Sequence, residues 1–222
     1  MTAAFRPGRR RRSRRCRAFT IIELLVVVAI MLTLAALSLP ALHSLLPASQ
    51  LAQASQMLEN GIGLARQTAL ARNALVEVRL YRVADPEVAG ETAGNPATGK
   101  YRAFQAFVYN DAGTATPLTK PQYFPKLIVA DANATLSPLL AAAQAKAWSA
   151  SDPQPPLPRV GTSYTACVFA FQPDGSTNLA VGQTWFVTVH PLEGGDNLGA
   201  LPKNFTLLQV DPVNGHVQEY RP

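Results

Sequence analysis

The sequence lacks charge over a long stretch near its start, and it lacks the residue groupings that most catalytic and metal sites need. From Leu24 to Leu58 there is no Asp, Glu, Lys or Arg, although charged residues make up 15% of all 222 residues. Acids are also missing from residues 1–18, which hold eight arginines. The other 204 residues carry 12 basic and all 14 acidic side chains, a formal net charge of −2 within a whole-chain charge of +6. The positive charge therefore belongs to a short tail. A nucleic-acid-binding body is disfavoured, because such a domain keeps its cations on the fold. Cysteine is scarce too: Cys16 lies in the arginine tail and Cys167 far from it. With no CxxC and no Cys/His cluster, a zinc centre has no ligands to use. His43, His190 and His216 are scattered, without a carboxylate at useful spacing, and read as surface or packing residues. No serine sits in a GxSxG setting, and Gly61-Ile62-Gly63 lacks a third spaced glycine, which removes the nucleophile elbow and the dinucleotide loop. No metal and no cofactor are expected. At 48% hydrophobic residues the chain is nevertheless too apolar for general disorder.

What the uncharged stretch does contain is a membrane-length run. Phe19 to Leu39 is 21 residues, about 32 Å as a helix, close to a bilayer hydrocarbon core of about 30 Å. The arginines before it keep the N-terminus cytoplasmic by the positive-inside rule, which places the body on the far side. Glu23 stands out four residues into this run. An acid at mid-membrane costs about 2.5–3.5 kcal/mol and less near the interface. From the residues alone it is either an acid near the membrane edge or one waiting for a cation when helices pack together.

The segment Ala18-Phe19-Thr20-Ile21-Ile22-Glu23-Leu24-Leu25-Val26 resembles the type IV prepilin signature shared by pilins and type II secretion pseudopilins. The resemblance implies cleavage by prepilin peptidase between Ala18 and Phe19, and N-methylation of Phe19. It also implies an assembly role for Glu23, fifth from the new N-terminus, in pairing with a neighbouring subunit's terminal amine. Pro40 then falls at the position where these helices commonly carry a bending proline. Ala18 stands where the family usually has Gly, and the 18-residue leader is long.

Beyond Pro40 and Pro47, residues 49–73 read as a second helical stretch. Leu51, Ala54, Leu58, Ile62, Ala65 and Ala69 recur at three- and four-residue spacing and form one apolar stripe. Pro47 and the Gly61/Gly63 pair are expected to bend or soften it. Strand patterns follow: a half-buried strand over 76–83, another over 101–109, a weaker one over 123–130, then 164–171, 184–190, 204–210 and a short one from His216 to Tyr220. Residues 136–147 are alanine-rich and read as a short helix. Asp174-Gly175-Ser176-Thr177-Asn178 and Asp196-Asn197 have oxygen ligands suited to calcium, but a hairpin turn explains the first better. Cys167 reads as a buried small hydrophobe. Trp185, Phe186, Phe205 and Tyr220 read as core rather than as a partner-binding face.

The expected architecture is α+β: a long N-terminal helix, transmembrane then amphipathic, packed on a C-terminal antiparallel sheet domain. The expected divisions are a basic leader at 1–18, a transmembrane and filament-core helix at 19–46, an amphipathic half-helix at 47–75 and a periplasmic β-rich domain at 76–222. Three patches, Leu64–Ala69 with Asn73 and Val76, Phe171-Gln172-Pro173-Asp174-Gly175, and Asn214-Gly215, resemble GspH/FimT-type minor pseudopilins. The C-terminal run through Tyr220-Arg221-Pro222 further resembles the pilin-like family called Verru_Chthon cassette protein D. These resemblances imply a structural subunit and no enzyme. They imply a single-pass protein of the bacterial inner membrane that joins a secretion pseudopilus or pilus-like filament. The implied partners are prepilin peptidase, other pilin or pseudopilin subunits, an inner-membrane assembly platform and membrane lipid, with no nucleic acid.

Overall fold

A computed structural model describes residues 19–222, with the side chains of residues 37–46 outside the described set. The chain divides into two compact units, the first ending at His43 and the second running Ser44–Pro222. Helix α1 (Ile21–Arg72) contributes to both. Nine strands follow: β1 (Val76–Val83), β2 (Lys100–Tyr109), β3 (Ala115–Pro117), β4 (Gln122–Tyr123), β5 (Ile128–Ala130), β6 (Thr165–Phe171), β7 (Trp185–Pro191), β8 (Thr206–Val210) and β9 (Val217–Tyr220). They form one antiparallel sheet ordered β6-β1-β2-β5-β7-β8-β9, with β3 and β4 paired to β2 off this path.

In the second unit the helical stripe packs on one face of this sheet. Leu51, Ala54, Leu58, Ile62, Ala65 and Ala69 are all buried, in one cluster with Val76, Val78 and Leu80 of β1, Phe104 of β2 and Phe169 and Phe171 of β6. The small residues in the stripe allow close approach, and Gly61 allows more. A Cβ built on Gly61 would lie 2.2 Å from Phe104 Cε2, whereas one on Gly63 would meet nothing within 4 Å. Gly61 is thus a notch for a ring. α1 runs through both residues without interruption. The helix stops at Asn73, whose φ of 48° is left-handed, and the Ala74 N–H donates back to the Ala69 carbonyl at 3.2 Å. That six-to-one bond is a Schellman stop, with Asn in the place glycine usually fills.

The other face of β1 and β2 is also covered, which corrects the half-buried strand expected at 76–83: seven of its eight residues are buried. A strap at about 145–163 lies over it, where Tyr81, Val83, Ala103, Leu157, Tyr164 and Ala166 form a second, smaller core. Within this layer Arg79 is fully buried. Its Nε donates to Glu77 Oε1 at 2.6 Å and its Nη2 to both Asp152 oxygens at 2.9 Å. Lys146 Nζ reaches Glu77 at 2.8 Å and Asp152 at 2.6 Å, and the Tyr109 hydroxyl donates to Asp152 at 2.6 Å. The guanidinium carbon lies 3.7 Å from the Phe107 ring centroid. Two cations facing two acids let the strap bury charge, since each ion keeps its partners. Burial works to raise the Asp152 pKa, but hydrogen bonds from Lys146, Tyr109 and Arg79 overcome it and hold the carboxyl below its ordinary value.

Other expectations are corrected here. The alanine-rich segment is not one helix but two three-residue 3-10 turns, Pro138–Leu140 and Ala142–Gln144, separated by an extended Ala141. Tertiary pairing overrides alanine's helix preference: Ala145 bridges to Cys167, and the Lys146 N–H donates to the Ala166 carbonyl at 2.8 Å, capping the β6 edge. The weak strand at 123–130 is split into β4 and β5 around Pro125. Of the four C-terminal aromatics only Trp185 is in the core, while Phe186 and Phe205 are half-buried and Tyr220 is 47% exposed. His190 is a packing residue, one of the two readings offered for it, but it does have a carboxylate partner. It is fully buried and hydrogen-bonded to Asp131 at 3.1 Å, a partner 59 residues away. Asp131 also accepts from the Asn133 and Leu198 N–H groups, so the pair ties two loops together.

Candidate functional site

The first unit presents apolar side chains without cover. Among its described residues, twelve large hydrophobics from Phe19 to Leu34 are between 43% and 84% exposed. Burying them is worth on the order of 20 kcal/mol at 1.5–3 kcal/mol per side chain, so this segment cannot stay in water. Among the described residues no helix is long and apolar enough to cross a membrane; the described apolar side chains end at Ala36, and part of the run expected to span Phe19–Leu39 lies outside them.

The start of the helix is built from three residues. Thr20 is the cap of α1: the Glu23 N–H donates to its Oγ1 at 3.3 Å, and that hydroxyl donates to Glu23 Oε2 at 3.4 Å. Thr-x-x-Glu is the capping-box pattern, which serves otherwise unpaired amides of the first turn. The Glu23 carboxylate also sits where the helix dipole favours negative charge. Phe19, just ahead of the cap, is 70% exposed. Sequence reasoning singled out Phe19 and Glu23 but missed Thr20, although Thr followed three residues later by Glu was there to be read. Ala18, and with it the bond expected to be cleaved, lies outside the described residues. Pro40 falls within the span of α1 but among the side chains outside them, as does the bend expected there.

Residues 13–39 match the prokaryotic N-terminal methylation motif. The match covers the cap, Glu23 and the uncovered apolar run together. With the helix-on-antiparallel-sheet fold it marks a pilin-like structural subunit and not an enzyme. No curated protein matches the chain. The crystal structure of the type IV minor pilin FimU from Pseudomonas aeruginosa strain PAO1 overlays 78% of this chain and 93% of its own, at 11% identity and a TM-score of 0.42. An overlay at that score decides nothing, and the fold is read from its own elements.

In the second unit the three patches singled out in the sequence are brought into one junction. Arg66 Nε donates to the Asn214 carbonyl at 2.8 Å, across 148 residues. Gly215, at a φ of 65°, leaves no room for a side chain: a Cβ would lie 2.4 Å from the Gly175 carbonyl and 2.8 Å from Phe171. Gly175 in turn faces Leu70 of the helix. Asp174 is used within its own turn, accepting from the Ser176 N–H at 2.9 Å and hydroxyl at 2.6 Å. Among the described residues no group of three or more His, Cys, Asp or Glu could hold a metal ion. Cys167 is buried 3.1 Å from the Tyr101 hydroxyl, and burial pushes its thiol pKa up.

Proposed function

We propose that this chain is a minor pseudopilin of the GspH/FimT type, close to the Verru_Chthon cassette protein D group. In this reading prepilin peptidase cuts the arginine leader between Ala18 and Phe19 and methylates Phe19. Residues 19–46 hold the subunit in the bacterial inner membrane, with the leader cytoplasmic and residues 76–222 periplasmic, and then join the helical core of a filament. That filament is a type II secretion pseudopilus or a type IV pilus-like assembly built with other subunits on an inner-membrane platform. Residues 47–75 link the two parts, and Pro40 bends the helix between them. Glu23 gives up its contact with Thr20 for a neighbouring subunit's N-terminal amine, an ion pair that sets register because either ion alone is costly in an apolar bundle.

The observation that carries this is the methylation motif coinciding with a capped, uncovered apolar helix. A DNA-uptake pilin is the weaker reading. Six of the ten Lys and Arg residues in 76–222, namely Arg79, Lys100, Arg102, Lys126, Lys146 and Arg221, are held in internal ion pairs, and phosphate binding draws on free cations. Sequencing the mature N-terminus tests the proposal directly: methyl-Phe19 is expected, and a start beyond residue 40 overturns it. Glu23→Val should leave cleavage intact and abolish filament incorporation; normal incorporation removes the role given to Glu23.

A further inference from the structure

A cavity of about 510 Å³ opens between the 84–99 loop, β2, the 123–126 segment and the tip of the strap at 158–160. Val83, Pro86, Tyr123, Phe124 and Val160 give it apolar walls. Its volume falls within the roughly 300–1,000 Å³ of small-molecule sites. Arg102 forms part of the wall with its side chain 7% exposed. One guanidinium nitrogen pairs with Glu91, but Nε and Nη1 have no hydrogen-bond acceptor, and Asp85 stands 3.6 Å from Nη1. Buried donors without acceptors are costly in a folded protein. Lys126, at the rim, is paired with Glu87 at 2.7 Å.

Arg159 differs from both. It is exposed on the cavity wall and makes no hydrogen bond or ion pair with any described residue. Its φ of 71° is left-handed, a conformation that side-chain-bearing residues hold only when their surroundings impose it. Here Leu157 and Gly161 exchange backbone hydrogen bonds of 2.8 and 2.9 Å around the turn and fix it at the tip. Asp85, Glu87 and Glu91 are all engaged by Arg102 and Lys126, so among the described residues Arg159 is the one cation of the wall without a carboxylate.

We propose that this cavity binds a small monoanion with an apolar body, an aromatic or aliphatic carboxylate. Arg159 takes the carboxylate, Arg102 lies behind it, and Tyr123 and Phe124 receive the body. A planar guanidinium fork matches a carboxylate in two parallel hydrogen bonds, and a single free cation suits a single negative charge.

The test uses the full chain in phosphatidylcholine nanodiscs and equilibrium dialysis with N-acetylphenylalanine or its primary amide. The acid should bind saturably, one per chain, and at least about tenfold tighter than the amide, a step of about 1.4 kcal/mol. Arg159→Gly, which keeps the backbone conformation, should weaken the acid by about the same factor and leave the amide unchanged. Val160→Trp should fill the cavity and abolish binding while circular dichroism stays unaltered. Absence of saturable binding at millimolar probe, equal affinity for acid and amide, or unchanged binding by Arg159→Gly overturns the proposal.

Discussion

Gly61→Ala and Gly63→Ala are the same chemical change two residues apart on one helix, and they are expected to act in opposite directions. Replacing an interior helical glycine with alanine gains roughly 1 kcal/mol, because the backbone loses less entropy on folding. At Gly63 nothing lies within 4 Å of the new Cβ, so the full gain should appear, about 0.5–1 kcal/mol. At Gly61 the new methyl would sit 2.2 Å from Phe104 Cε2 and 2.9 Å from Cζ, well inside the ~3.5–4.0 Å of carbon–carbon contact. The ring cannot swing to solvent: Phe104 is 2% exposed and its centroid lies 6.0 Å from that of Phe124. Overpacking of this kind costs about 1–3 kcal/mol, with this contact at the high end. The net expectation is destabilisation by about 1–2 kcal/mol after the helix-propensity gain is subtracted.

The assay is urea unfolding of the detergent-solubilised chain followed by tryptophan fluorescence, since Trp185 is buried in the sheet core and Trp148 lies against the second one. Phe104→Leu should lower the stability of the parent but recover most of the loss in Gly61→Ala, with a coupling energy of about 1 kcal/mol or more in the double-mutant cycle. If Gly61→Ala were as stable as Gly63→Ala, or if the cycle showed no coupling, the close approach of α1 to β2 at this point would be refuted.

Arg79→Met should cost about 3–5 kcal/mol, because Glu77 and Asp152 stay buried with one fewer cation; a loss below about 1 kcal/mol would make the cluster ordinary surface charge. The native Asp152 carboxyl binds its proton less readily than an unfolded one, so its contribution is complete above the ordinary carboxylate pKa and is lost as pH falls through its lowered folded value. Asp152→Asn should therefore flatten the acid limb of stability against pH, and an unchanged limb would assign that limb to other acids. Thr20→Val should speed amide hydrogen exchange in the first turn of α1 by removing a cap worth about 0.5–2 kcal/mol, while Thr20→Ser should restore it; equal exchange in all three would discount the cap.

How much of this was legible in the sequence depended on how far apart the interacting residues lie. The stripe Leu51–Ala69, the strand at 76–83 and the Asp174-Gly175 turn are local patterns, and the structure places them where the periodicity and turn chemistry put them. The layer covering the second sheet face was not legible. Arg79 meets Asp152 across 73 residues, and no local pattern signals that an arginine in a strand is a buried one. Its alternation with Val78 and Leu80 looks the same whether water or a strap lies above it. The carboxylate partner of His190 was missed for the same reason, because Asp131 is adjacent only after β5 and β7 pair. The alanine-rich segment failed in the opposite sense. Its local preference was clear, but pairing with the β6 edge outweighed it.

The methylation motif at residues 13–39 escapes that difficulty for a physical reason. Under the proposed function its chemistry has to be carried by a short stretch of chain, since a peptidase reads residues around one bond and a helix cap is completed within one turn. Thr20 and Glu23 satisfy each other at a separation of three residues, so under the proposed assembly the carboxylate that would meet a neighbour's amine is held by its own helix until then. An uncapped glutamate at that depth would carry its desolvation cost unopposed, whereas one held by a hydroxyl and by the helix's positive end carries less of it. In the proposed assembly, exchange from the cap to an intersubunit pair would trade one set of hydrogen bonds for another at nearly constant number. Thr20→Val should therefore weaken assembly less than Glu23→Val does, because it removes the holding contact and leaves the exchanged one in place.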